Sequence, residues 1–365
     1  MRIKLAFIGW AVVLLVGCGS TMQKEKTLKQ INAYDFSEID AQIQTWIKKG
    51  YYPGASILIV KDDRVVLERY YGTYTPQTVV YLASAGKWPA SATIASLVDE
   101  GRLSWDDPVA KWLPEFTDIK GQATLRQLMS HTSGYPDYHS PPKRDVYQTL
   151  IESAAAIVPL DAVASPGEVF LYGGLAMQTA GRMAEAAGGM EWEALFQTKV
   201  AKPLQMKATR FTPVDDGEGH APMLGGGARG TLNDYGNFLS MVSHHGVFRG
   251  RRILSESAIR QMEADHVGSA TVHRGEFVER VRGGTHTGIY GLGLWREELD
   301  TQGQAVLISS PSWAGTYPWI DRANNIYGIF LTHVDTAKAN PDGFSGFTAS
   351  PILATMTRLA IAADR

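Results

Sequence analysis

Val79-Val80-Tyr81-Leu82-Ala83-Ser84-Ala85-Gly86-Lys87 is the stretch that decides the fold, together with its continuation to Glu100-Gly101. Val79 to Ala83 is an extended apolar run. Residues 84–100 then have a helical pattern, with Ile94, Leu97 and Val98 on one stripe and Gly101 placed as a left-handed cap. Residues three apart share a helix face, so the spacing sets a Lys87 amine beside a Ser84 hydroxyl. A hydroxyl needs such a partner to become a nucleophile. Pro89 falls around the end of the first turn, where it is awkward but tolerable. The same spacing recurs at Ser140-Pro141-Pro142-Lys143, but two prolines rule out a helical turn there. The pattern alone also fits a serine capping a buried helix with Lys87 merely solvated.

The N-terminus is read as a targeting segment. Arg2 and Lys4 carry positive charge, and the apolar run from Leu5 to Val16 is short for a bilayer span. Leu15-Val16-Gly17-Cys18 resembles a bacterial lipobox, with an ordinary secretory signal as the competing reading. On that resemblance, residues 1–17 are a lipoprotein signal peptide and Cys18 is the lipidation site. Residues 18–33 are then a lipidated cysteine and flexible tether. Cys18 is the single cysteine among 365 residues, so no internal disulfide can form. Gly19 at the next position, by similarity to Gram-negative lipoproteins, implies an outer-membrane location facing the periplasm. A net charge of -2 with both signs interspersed gives no support for a nucleic-acid partner.

Ile39, Ile43 and Ile47 predict an amphipathic helix over 35–49. Residues 56–60 and 64–70 predict two strands joined by a tight turn at Lys61-Asp62-Asp63. Helical patterns come next at 107–113, 124–130, 145–156, 173–188, 191–199, 231–244 and 255–264. Residues 290–295, 304–309, 317–321 and 326–331 read as extended, and 349–362 closes as a helix. Strands at both ends with helices between predict an α+β fold: an antiparallel sheet flanked by helices plus an all-helical lobe. The expected domain is 34–365, with a sheet lobe of about 34–83 and 265–365 and a helical lobe of about 84–264.

This order of elements resembles the class C β-lactamase-related serine hydrolases, whose members include β-lactamases, penicillin-binding DD-peptidases, family VIII carboxylesterases and amidases. The resemblance covers nearly all of 36–363. It is carried by Ser84-x-x-Lys87, Leu97 to Val109 (LVDEGRLSWDDPV), Leu128-Met129-Ser130-His131-Thr132-Ser133-Gly134, Pro203-Leu204-Gln205-Met206 and Tyr290-Gly291-Leu292-Gly293-Leu294-Trp295. It implies a β-lactamase/transpeptidase-like fold and Ser84 as the nucleophile. The substrate it implies is a small ester, amide or peptidoglycan-like molecule, and no metal or organic cofactor is called for.

Two family motifs are altered. The Tyr-x-Asn motif falls on Tyr172-Gly173-Gly174, so the phenol is kept and the amide is lost. The resemblance makes Tyr172 the general base, with Lys87 favouring its phenolate. The Lys-Thr-Gly motif falls on Ser310-Pro311-Ser312, with the Trp313 amide as an oxyanion donor. A slip of three residues would use Trp313-Ala314-Gly315 and the Thr316 amide instead. Neither register supplies a cation to grip a carboxylate, and Gly174 cannot hold a peptide-like side chain. Both departures point to an esterase or amidase rather than a true β-lactamase. A catalytically silent cell-wall-binding lipoprotein and a peptidoglycan DD-peptidase or transpeptidase remain the alternatives. His286-Thr287-Gly288 spells a family motif but precedes the Tyr290 segment, and is read as a loop. Tyr135, Tyr138, Trp313 and Tyr317 are either a pocket lining or ordinary packing. His131 is expected to bond within its own turn. Gly225-Gly226-Gly227 is expected to allow close backbone packing or to line the cleft.

Overall fold

Apolar residues at alternate positions of one strand face two different cores, and this arranges the whole molecule. In the computed structural model the described residues are 34–136, 149–211, 222–273, 278–279 and 288–363. Helix α1 (Ser37–Lys48) precedes β1 (Gly54–Lys61) and β2 (Arg64–Gly72). The short strand β3 (Val80–Tyr81) leads into α2 (Lys87–Asp99). Short helices at 125–129 and 150–157 come before α3 (Leu175–Gly188). Next come β4 (Arg210–Phe211), β5 (Ala228–Gly230), α4 (Leu232–Ser243) and α5 (Glu256–Glu263). The C-terminal strands are β6 (Trp295–Leu299), β7 (Ala305–Ser309), β8 (Tyr317–Asp321) and β9 (Ile326–Thr332), and α6 (Ile352–Ala362) closes the described chain.

The six long strands form one antiparallel sheet in the order β6-β7-β8-β9-β1-β2. Leu58 and Val60 of β1 face a core shared with α2, α3 and α4. Ile57 and Ile59, on the other side of the pleat, pack with Ile39, Ile43 and Trp46 of α1 and Leu353 and Ile361 of α6. Burial on both faces explains why β1 reads as a continuous apolar run. The β1–β2 turn has Asp62 at φ 47° and Asp63 at φ 61°, the left-handed pair that a two-residue hairpin requires.

Helix α2 runs through the middle of the helical side, and every residue from Lys87 to Leu97 is buried. It ends as the sequence predicts. Gly101 sits at φ 69°, its N–H bonds Val98 O, and the Arg102 N–H reaches Leu97 O, which is a Schellman cap. A 3₁₀ turn over Ala83–Gly86 carries Ser84, so the α-helix proper starts at Lys87. Pro89 is therefore the third helical residue, where no intrahelical N–H partner is lost.

Two expectations differ from what the chain does. Residues 290–295 do not form an extended strand. Tyr290 bridges back to Trp295, the Gly291 N–H bonds Leu294 O, and Gly293 turns at φ 77°. The reason is close approach: a Cβ on Gly293 would lie 2.7 Å from the Lys87 carbonyl oxygen. The region between β2 and β6 is also not all helical. A three-stranded ladder β3-β5-β4 and two smaller ladders interrupt it. Their two- and three-residue strands are too short to leave a period-two pattern. The expected helix at 145–156 begins at Leu150 among the described residues, under a Thr149–Glu152 capping box.

Candidate active site

Ala83 holds φ 49°, a strained value for a residue with a Cβ, immediately before Ser84. The bend turns the chain from β3 into the 3₁₀ turn and sets the Ser84 side chain at the start of α2. Ser84 is 7% exposed and Lys87 is fully buried. Lys87 Nζ lies 3.1 Å from Ser84 Oγ and donates to the carbonyl oxygen of Gly225. Gly225-Gly226-Gly227 thus lines the site. Burial pushes the Lys87 amine down to about 7.

Tyr172 joins this pair. Its hydroxyl lies close enough to Ser84 for the serine to ease its ionisation, and Lys87 Nζ stands 4.7 Å from the centre of its ring. The ring is held by His131 at 4.7 Å, Trp295 at 5.2 Å and Tyr290 at 5.9 Å between centroids. Burial in this aromatic cage raises the Tyr172 hydroxyl well above the usual phenol range. The expected phenolate is therefore not what the surroundings favour. A buried amine that sheds its own proton near neutrality cannot hold a phenol ionised.

His131 departs from the expected local bonding. It sits at φ 59° and is buried, with Nε2 3.3 Å from the Tyr290 hydroxyl and Nδ1 3.5 Å from the Gly173 N–H. Burial first, and then the Lys87 charge, push its imidazole well below the usual range, so it is neutral. It joins the Ser130–Gly134 turn to both neighbours of the phenol. Its role left no signal in sequence beyond its place in the Leu128–Gly134 segment, because both partners are distant in the chain.

The third-motif residues come to the same place. Ser310 Oγ donates to the main-chain carbonyl of Ser84 at 3.1 Å, so a hydroxyl braces the nucleophile where the family expects a base. Ser312 is fully buried and its hydroxyl has no hydrogen-bond partner among the described residues. Its backbone bonds Thr316 O and Gly315 N, which closes a tight loop that presents Trp313, 46% exposed. Thr316 is turned into the sheet, where its hydroxyl donates to Thr332 O at 2.8 Å. Of the aromatic pocket candidates, Tyr135 donates to Lys120 O and Tyr317 to Glu297, so both serve packing. Tyr138 lies outside the described residues. So do residues 1–33, where the signal peptide, Cys18 and the tether were expected, the Ser140–Lys143 copy, and His286-Thr287.

The sequence model of the Beta-lactamase family matches residues 38–344. A crystal structure from Bacteroides dorei DSM 17855, named a candidate beta-lactamase, is 51% identical. It superposes with a TM-score of 0.85, covering 90% of this chain and 99% of that one. A family VIII carboxylesterase structure, 18% identical, has the same fold at a TM-score of 0.65, covering 82% of this chain and 91% of its own. Protein flp of Staphylococcus aureus strain MW2 is 33% identical over 188 residues, 48% of this chain and 38% of flp. The match therefore spans well under half the length of that curated relative. With the antiparallel sheet, the helices flanking it and the Ser84–Lys87–Tyr172 cluster at the head of α2, these similarities establish that the chain belongs to the Beta-lactamase family of serine hydrolases.

Proposed function

We propose that the protein cleaves an ester or amide through a Ser84 acyl-enzyme, and that it prefers esters to β-lactams. The observation that carries this reading is the fully buried Lys87 amine, 3.1 Å from the Ser84 hydroxyl and deprotonating near 7. At neutral pH the amine has a lone pair to accept the serine proton as Ser84 Oγ attacks the carbonyl carbon. The Tyr172 hydroxyl, held neutral, then gives its proton to the departing alcohol or amine and regains one from the Lys87 ammonium. The main-chain N–H groups of Ser84 and Trp313 take the oxyanion, a contribution worth ~10²–10³ in rate for each such donor. Water attacks the acyl-enzyme by the reverse proton path and frees Ser84.

The preference for esters follows from Gly174 and Ser310, which supply neither the amide nor the cation that a β-lactam or peptide needs. Comparing kcat/KM for p-nitrophenyl butyrate and nitrocefin tests it. The ester is expected to be turned over at least about tenfold more efficiently; faster nitrocefin turnover overturns the preference. The same two altered motifs favour the second reading, a silent binding protein, which absence of turnover of either compound by the folded protein would bring forward. Covalent labelling by fluorescent penicillin would instead favour a DD-peptidase or transpeptidase.

We also propose export and anchoring of the chain to the cell envelope through lipidated Cys18, on the resemblance of Leu15–Cys18 to a lipobox. The expected result is that Cys18→Ser moves the protein from the membrane fraction to the soluble fraction. Unchanged partitioning would refute the anchor.

A further inference from the structure

The Ser130–Gly134 turn supplies no group to the proton path of Ser84, yet it carries the chain that leads into Tyr172. The turn is fixed from behind. Thr132 N–H bonds Gln127 O, and Gln127 closes the Thr124 capping box of the helix at 125–129. In front, the turn offers three carbonyls to the segment before the phenol. Gly134 O accepts from Val163 N–H at 2.9 Å, Thr132 O from Gly167 N–H at 2.7 Å, and His131 O from Leu171 N–H at 2.9 Å. The fit is close. Gly134 sits at φ 72°, and a Cβ on it would lie 2.0 Å from Ala164 O.

His131 does more than its neighbours in the turn. At φ 59° it is strained, a conformation that a residue with a Cβ keeps only where its surroundings impose it. From there one residue brackets Tyr172 on both sides. Its carbonyl takes the Leu171 N–H, and its ring Nδ1 faces the Gly173 N–H at 3.5 Å. A ring nitrogen facing an N–H acts as acceptor, so the ring proton lies on Nε2, directed at the Tyr290 oxygen 3.3 Å away. The same ring packs on Tyr172 at 4.7 Å, Tyr290 at 5.0 Å and Phe170 at 6.1 Å between centroids. An imidazolium would set a second donor against the Gly173 N–H, and burial keeps the ring neutral.

We infer that His131 is a positioning residue for protonation of the leaving group: by bracketing Tyr172 through Leu171 and Gly173, it holds the phenol where its proton reaches the departing oxygen. The inference rests on the reading of Tyr172 as proton donor in a Ser84 acyl-enzyme reaction. In that step the bond from the acyl carbon to the leaving oxygen breaks and the electron pair stays on oxygen. The phenol proton moves to that oxygen, and the Lys87 ammonium returns one to the phenol. An alkoxide is too basic to leave without the proton, whereas p-nitrophenolate leaves unprotonated. A misplaced phenol therefore costs an alkyl ester more than a p-nitrophenyl ester. A ring that only packs the core would, on removal, cost both alike.

The test compares kcat/KM for ethyl butyrate and p-nitrophenyl butyrate, which form the same acyl-enzyme, in wild type and three variants. Tyr172→Phe is expected to lower the ethyl ester at least about tenfold more than the p-nitrophenyl ester. His131→Gly keeps the main-chain carbonyl and takes the left-handed turn without strain, and should show an excess loss on the ethyl ester of about tenfold as well. His131→Asn tolerates the same turn and sets an amide oxygen, one bond from Cγ like Nδ1, toward Gly173, so its excess should shrink to about threefold. The asparagine variant carries the test if the glycine variant does not fold. Equal losses on the two esters in the His131 variants, beside a clear excess in Tyr172→Phe, would overturn the inference and leave Tyr172 as the proton donor. Equal losses in Tyr172→Phe as well would take that role from the phenol and overturn both. No turnover of either ester by the wild type would sink the hydrolase reading and the inference with it.

Discussion

Ser84→Ala is expected to lower p-nitrophenyl ester turnover by ~10⁴–10⁶-fold, the range for loss of a serine nucleophile whose base and oxyanion donors remain. The loss should be in kcat, with little change in KM, because the hydroxyl acts on the reacting carbon and not on the rest of the substrate. Stability should move little. Lys87 Nζ keeps its bond to Gly225 O, and Ser310 Oγ braces the main-chain carbonyl of Ser84, which alanine retains. A fluorophosphonate probe should label the wild-type protein on the peptide containing Ser84 and leave the variant unlabelled. The kinetics and the label together decide the assignment. Turnover within about tenfold of wild type, or undiminished labelling, would mean that another hydroxyl is the nucleophile.

That assignment was legible in sequence because Ser84 and Lys87 are neighbours on one turn, and local spacing carries local geometry. The same holds for the Asp62-Asp63 hairpin, the Gly101 cap and the amphipathic α1. In α1, Ile39 and Ile43 are buried as expected, with Trp46 as the third core residue and Ile47 at its edge. What the sequence does not reveal is non-local. Tyr290 to Trp295 alternates glycine with apolar residues, a period-two pattern that reads as a strand, yet the chain turns there. Only the backbone of Lys87 pressing against Gly293 decides for the turn. The cage around Tyr172 brings together residues 131, 172, 290 and 295, and no window along the chain contains that set. Its effect is to reverse a sequence-based expectation, since burial outweighs the neighbouring amine and keeps the phenol neutral.

The Lys87 amine has a second consequence, which is expected to separate activity from stability. Its value falls from 10.5 to about 7 on folding, a change equivalent to ~5 kcal/mol between the two protonation states. The unfolded chain therefore binds more protons than the folded one between about pH 7 and 10.5, so stability rises with pH across that window. Below about 7 the charged amine is buried and the full cost is present. Lys87→Met removes this cost, though it leaves Gly225 O without that donor, a loss of ~1–3 kcal/mol. The variant should thus melt several degrees above wild type at pH 6–7, and the gap should close and then reverse by about pH 10, where mainly the lost bond to Gly225 O remains. Activity should go the other way, with Lys87→Met losing ~10²–10⁴ in kcat/KM as expected for removal of a general base. In the wild type, kcat/KM should climb with pH up to about 7 and then level off as the amine loses its proton. A variant less stable than wild type at every pH would show that the amine is buried for packing and hydrogen bonding alone. A flat pH profile would take from Lys87 the role of proton acceptor and return it to the Tyr172 phenol.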